Sequence, residues 1–240
     1  MPKLEDHITR HQTLHKNVFN SVGYVPSSLC GLLNQIAEHW QHNVLKMFPK
    51  FTCQDVIIYG DFAGYLYNTY SEMYLGMVGN FTPNETLFLD EINRVLVANE
   101  LKYTFLGHPV HCHFIASIPP ELSCYSIIQK KWINYPQIKE IDLLTLKKNF
   151  TKYKNKISTY IKNLEKHDNN MLTVNSCAKL QKYLFSLETK AQNLLVHSDE
   201  HEYNQEYLFW RTYRNMQILQ KDYDYLMNSY EYNYNMEQIK

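Results

Sequence analysis

The chain has 240 residues and balances 24 Lys and Arg against 24 Asp and Glu, so it lacks the overall basic charge of a nucleic-acid binder. Its cysteines (Cys30, Cys53, Cys112, Cys124 and Cys177) form an odd set with no C-x-x-C pair, which argues against a disulfide framework or a zinc ribbon. Apolar runs such as residues 110–118 fall far short of the roughly 20 residues of a membrane span, and residues 1–19 are too polar for a signal peptide, so a soluble cytoplasmic protein is expected.

Breakers of regular structure are confined to the front of the chain. The last glycine is Gly107 and the last proline Pro136. Residues 3–19 read as a short helix with His7, His11 and His15 on one face, a spacing that suits helix-borne ligands but equally an exposed polar stripe. After Gly23 and Pro26, Ser27 or Ser28 caps a second helix whose apolar positions Leu29, Leu33, Ile36, Trp40 and Val44 keep helical spacing.

Residues 55–60 read as a buried strand closed by Gly60-Asp61. Thr82-Pro83-Asn84-Glu85 supplies a cap, a proline at the first helical position and the Glu of a capping box, which predicts a helix running to about Ala98. Residues 102–106, 110–118 and 124–129 read as strands. Alternation in the second of these places Val110, Cys112 and Phe114 on one face and His111 and His113 on the other.

Beyond Pro136 the pattern changes. Leu143, Leu146, Phe150, Tyr153, Ile157, Tyr160 and Leu164 form a helical seam, as do Cys177, Leu180, Leu184, Leu187, Ala191 and Leu194. A third, looser seam starts at Phe209. The predicted class is therefore α+β: a mixed domain with a small antiparallel sheet over residues 1–136, then an antiparallel helical hairpin or three-helix bundle over residues 137–240.

Three constellations have chemical potential. Cys30 falls in the first turn of the second helix, where unpaired N–H groups and the helix dipole favour a thiolate, although a free cysteine there also packs as a small hydrophobe. With the histidine-bearing strand around His111 and His113 and the later run Tyr125–Trp132, the order resembles papain-like cysteine hydrolases. That resemblance implies Cys30 as nucleophile and His113 or His111 as base. Lys130 stands where the family carries an Asn or Asp, which leaves Gln129 beside it to orient the base.

The spacing His108, His111, His113, with Asp61 from the earlier turn, suits a divalent metal such as zinc; otherwise no cofactor is indicated. Finally, Lys147, Lys148, Lys152, Lys154, Lys156 and Lys162 lie among aromatics that the seam assigns to the interior, leaving no ring to stack on a base. The leading expectation is an interaction or adaptor protein whose helical part binds a protein partner rather than nucleic acid, and the alternative is a cysteine hydrolase or transferase.

Overall fold

The computed structural model describes residues 8, 10–44, 51–69, 71–89, 92–93, 103–165, 178–180, 182–184, 186–187, 189–191, 194–195 and 204–215. The chain forms two compact units, one of residues 8–139 with 195–202, the other of residues 1–7, 140–194 and 203–240. No helix among the described residues is long and apolar enough to cross a membrane.

The first unit is built on a sheet. Helix α1 (Ser27–Val44) leads into β1 (Thr52–Tyr59), a 3-10 turn at Gly60–Ala63, and β2 (Met73–Asn80). Helix α2 (Pro83–Leu87) follows, then β3 (Tyr103–Phe105), β4 (His108–Ile115), β5 (Cys124–Ser126) and β6 (Lys131–Asn134). Their order across the sheet is β3-β4-β2-β1-β5-β6.

This corrects the predicted small antiparallel sheet. The sheet is six-stranded and mixed, because β2 and β4 pair in parallel from Met73 with Val110 to Val78 with Ile115. Parallel neighbours require a crossover connection, and the chain between β2 and β4 supplies it, with α2 inside it. Helix α2 opens as its sequence dictates. The Thr82 hydroxyl accepts from the Glu85 N–H at 3.3 Å, and the Glu85 carboxylate accepts from the Thr82 N–H at 2.7 Å. Much of the predicted extension to Ala98 lies outside the described residues.

Helix α1 lies on one face of the sheet. Cys30, Leu33, Ala37 and Trp40 point inward onto Val56, Ile58, Leu75, Met77, Val110, Cys112 and Phe114, all within one buried apolar cluster. Residue 8 and residues 10–19, the described part of the predicted N-terminal helix, form turns, bends and irregular chain instead. Tertiary contacts override local periodicity there: the His11 N–H donates to the Tyr65 carbonyl at 2.8 Å, and Leu14, Val18 and Phe19 are buried in that same cluster.

In the second unit α3 (Leu143–Glu165) packs against α4 (Gln205–Asn215). Phe209 lies stacked on Tyr153 at 4.4 Å and edge-on to Phe150 at 5.7 Å. Residues 178–195 are described in helical pieces that bury Leu180, Leu184 and Ala191. The predicted antiparallel hairpin or three-helix bundle is not shown, since one helical pairing and fragments are what the described residues contain. The α+β class stands in its broad form.

Candidate functional site

Cys30 occupies the fourth position of α1 and is 3% exposed, its Sγ 3.7 Å from the Val25 carbonyl. Burial pushes the thiol above its ordinary value, although Lys130 and a backbone hydrogen bond act in the opposite direction. The histidines lie elsewhere. On β4, Val110, Cys112 and Phe114 join the cluster that contains Cys30, so His111 and His113 project from the opposite face and the sheet stands between thiol and imidazoles. The structure does not bring these residues together.

His113 is 7% exposed, and its Nδ1 is 3.0 Å from the Tyr59 hydroxyl. Burial, with His111 as a second cause, lowers its pKa to about 3. An imidazole that weakly basic is poorly matched to proton abstraction near neutrality. His111 Nε2 lies 3.1 Å from a Glu72 carboxylate oxygen that also accepts from the Tyr74 hydroxyl at 3.2 Å, and the Tyr74 ring stacks on His113. The arrangement is a polar network spanning neighbouring strands.

Gln129 is not at a histidine either. Its side-chain amide donates to Asp55 Oδ2 at 2.9 Å and its backbone N–H to Ser126 Oγ at 2.8 Å, while Ser126 Oγ donates to Asp55 Oδ1 at 2.7 Å. Asp55, which sequence reasoning passed over, anchors the turn after β5. The signal available was a carboxylate beside a run of strand-forming apolar residues.

The proposed metal ligands also diverge. His108 and His111 are three residues apart on a strand and so face opposite ways. His108 Nδ1 donates to the Ser71 carbonyl at 2.8 Å, and the Ser71 hydroxyl donates to Asp61 Oδ2 at 2.8 Å. Among the described residues no group of three or more His, Cys, Asp or Glu side chains is placed to hold a metal ion. His15 packs against Phe62, Tyr67 and His108, and His11 stacks on Tyr67 at 3.9 Å, so these two serve as ring contacts. His7 lies outside the described residues.

What Cys30 does border is a groove of about 650 Å³ between α1 and β1, which Cys53 also lines. That volume is within the range of ligand sites. The Cys53 thiol is pushed up to about 11 by burial and the Asp55 charge. Both thiols are thus held away from the thiolate form, the reverse of what activates a cysteine nucleophile. Iodoacetamide labelling of the folded protein, followed by peptide mass spectrometry, is expected to rise steadily at Cys30 and Cys53 up to pH 9. A rate already level by pH 7 at either residue would contradict this.

Compared with protein-family models, curated proteins and solved structures, the chain has no significant match in any of the three.

Proposed function

We propose that the protein is a non-catalytic interaction protein of the cytoplasm that docks an acidic protein partner on the lysine face of α3. The observation that carries this reading is the distribution of charge around that helix. Leu146 and Ile157 are buried and Phe150 and Tyr153 half-buried, while Lys147, Lys148, Lys152, Lys154, Lys156 and Lys162 are all exposed. At about 100° per residue the lysines spread over an arc of roughly 200° centred opposite the apolar seam. No acidic residue interrupts α3 before Glu165.

Lys148, Lys152 and Lys156 follow one another at i, i+4, where like charges repel by about 0.2–0.5 kcal/mol per pair. An acidic surface laid across them would reverse that cost. The aromatic rings favour protein over nucleic acid, because Tyr153 and Phe150 are taken up by Phe209 and offer no platform for a base. The described cysteines are free thiols, in keeping with a reducing compartment.

The test uses the full chain and labelled polyglutamate, with single-stranded DNA and anionic phospholipid vesicles in parallel. Polyglutamate is expected to bind, to weaken steeply with added salt, and to lose at least tenfold in affinity with the Lys148→Glu, Lys152→Glu, Lys156→Glu triple variant. Tighter binding of DNA or vesicles, or a triple variant that binds like the parent, would overturn the reading.

A further inference from the structure

Among the described residues the sheet has an unfilled position beside the start of β1. Strand β5 pairs with β1 only from Ile57 to Tyr59, and the last bond of that ladder runs from the Ile127 N–H to the Val56 carbonyl at 2.8 Å. The chain then turns away, held by the Asp55, Ser126 and Gln129 hydrogen bonds and by Lys130 in a left-handed conformation at φ 54°. Among the described residues, Thr52–Gln54 therefore have β2 on one flank and no strand on the other, up to a bulge between Cys53 and Asp55, where the Asp55 carboxylate and its partners close that flank.

The groove opens on that flank. Its floor and near wall come from β1, the residue before it and the segment after β5, and no residue of β2 or β4 lines it. Its far wall is one face of α1, stepping from Ser27 through Gly31, Asn34 and Glu38 to Gln41. Those residues span fourteen helical rises, about 21 Å. An extended chain advances about 3.3 Å per residue, so the groove matches roughly six residues of strand.

The far wall leaves room for such a guest. A Cβ added at Gly31 would meet nothing within 4 Å. The floor is apolar, formed by Phe51, Val56 and Ile127 with Cys30 at the foot of the α1 wall, all at or below 8% exposed. The rim is charged oppositely along its length, with Lys130 Nζ 3.4 Å from Ser27 Oγ at the start of α1 and Glu38 further along, bonded to Asn34.

We propose that this groove accepts an extended segment of a partner polypeptide, added as a strand to the open start of β1. The segment would place alternate apolar side chains on the floor, with an acidic residue toward Lys130 and a basic one toward Glu38. This surface belongs to the sheet-bearing unit and does not depend on the lysine face of α3.

The experiment is selection of a displayed random hexapeptide library on the full-length protein, then fluorescence anisotropy of the enriched peptides. Enriched sequences are expected to alternate apolar residues and to carry an acid toward one end. Backbone N-methylation at the pairing positions and the groove-filling Gly31→Trp variant should each weaken binding at least tenfold, and bound peptide should slow alkylation of Cys53 at pH 9. Lys130→Glu, an exposed change, should turn the selected acid into a base, and decides the matter if Gly31→Trp fails to fold. No enrichment over Gly31→Trp, binding indifferent to N-methylation, or concentration-dependent self-association that Gly31→Trp abolishes would each overturn the proposal, the last by making a second copy the occupant.

Discussion

Phe114→Ala is expected to lower the free energy of unfolding by about 3–5 kcal/mol, a large share of the stability of an ordinary domain. Phe114 is 2% exposed and sits where helix, sheet and crossover meet. Its ring lies 4.9 Å from Trp40 of α1, 4.6 Å from Phe51 ahead of β1 and 5.5 Å from Phe81 after β2. Truncation removes the transfer free energy of the ring and leaves a cavity, and it also deletes three tilted or edge-on aromatic contacts, which add about 0.5–1.5 kcal/mol per pair beyond area.

The backbone around Phe114 resists collapse into that cavity. Its N–H donates to Asn93 Oδ1 at 2.8 Å and its carbonyl accepts from Asn93 Nδ2 at 2.9 Å, which closes β4 where β3 no longer pairs with it. Urea unfolding followed by circular dichroism reads the effect as a lower midpoint at unchanged slope. A loss below 1 kcal/mol would mean that these four rings do not share one core.

Where a segment's periodicity was its own, the sequence was legible. Helix α1, the capping box at Thr82 and the two faces of β4 all follow from spacing that no distant contact disturbs. Strand β2 was not legible, because Gly76 and Gly79 look like breakers. Both are demanded by close approach: a Cβ on Gly76 would lie 2.9 Å from Ile57 Cγ1, and one on Gly79 would collide with the Thr52 carbonyl. As a central strand with a parallel neighbour it also lacks alternation, with Met73–Val78 all buried or glycine. Missing β2 removed the parallel pairing, and with β6 (Lys131–Asn134) also unread the six-stranded mixed sheet was reduced to a small antiparallel one.

The residues of the candidate site were legible by type and misleading by place. Cys30 at a helix start suggests a thiolate, since the dipole favours negative charge by about 0.3–1 kcal/mol. Burial of a charge costs several kcal/mol, and with Cys30 nearly inaccessible desolvation outweighs the dipole. The separation from His111 and His113 rests on which face α1 covers, a choice that no local pattern encodes. The groove was hidden for a related reason: it exists because β5 stops at Ser126, and the stop is set by a carboxylate seventy-one positions earlier in the chain.

That carboxylate gives the second large effect. Asp55→Ala is expected to destabilise the protein by about 3 kcal/mol, because a buried donor left without its acceptor costs about 1–3 kcal/mol. Asp55 is 5% exposed and accepts from three donors: the Val56 N–H at 2.8 Å, the Ser126 hydroxyl at 2.7 Å and the Gln129 amide at 2.9 Å. The first two are buried, and the Gln129 side chain regains water on release, so the loss is weighted toward Val56 and Ser126. Asp55→Asn keeps the shape but turns one oxygen into a donor facing donors, and it should fall between alanine and the parent. The pairing with Ser126 is separable by a double-mutant cycle: if the two side chains act as one knot, Asp55→Ala with Ser126→Ala should cost clearly less than the sum of the single changes. Strict additivity would show that Asp55 stabilises β1 alone, and that the turn closing the end of β5 is held by something other than this carboxylate.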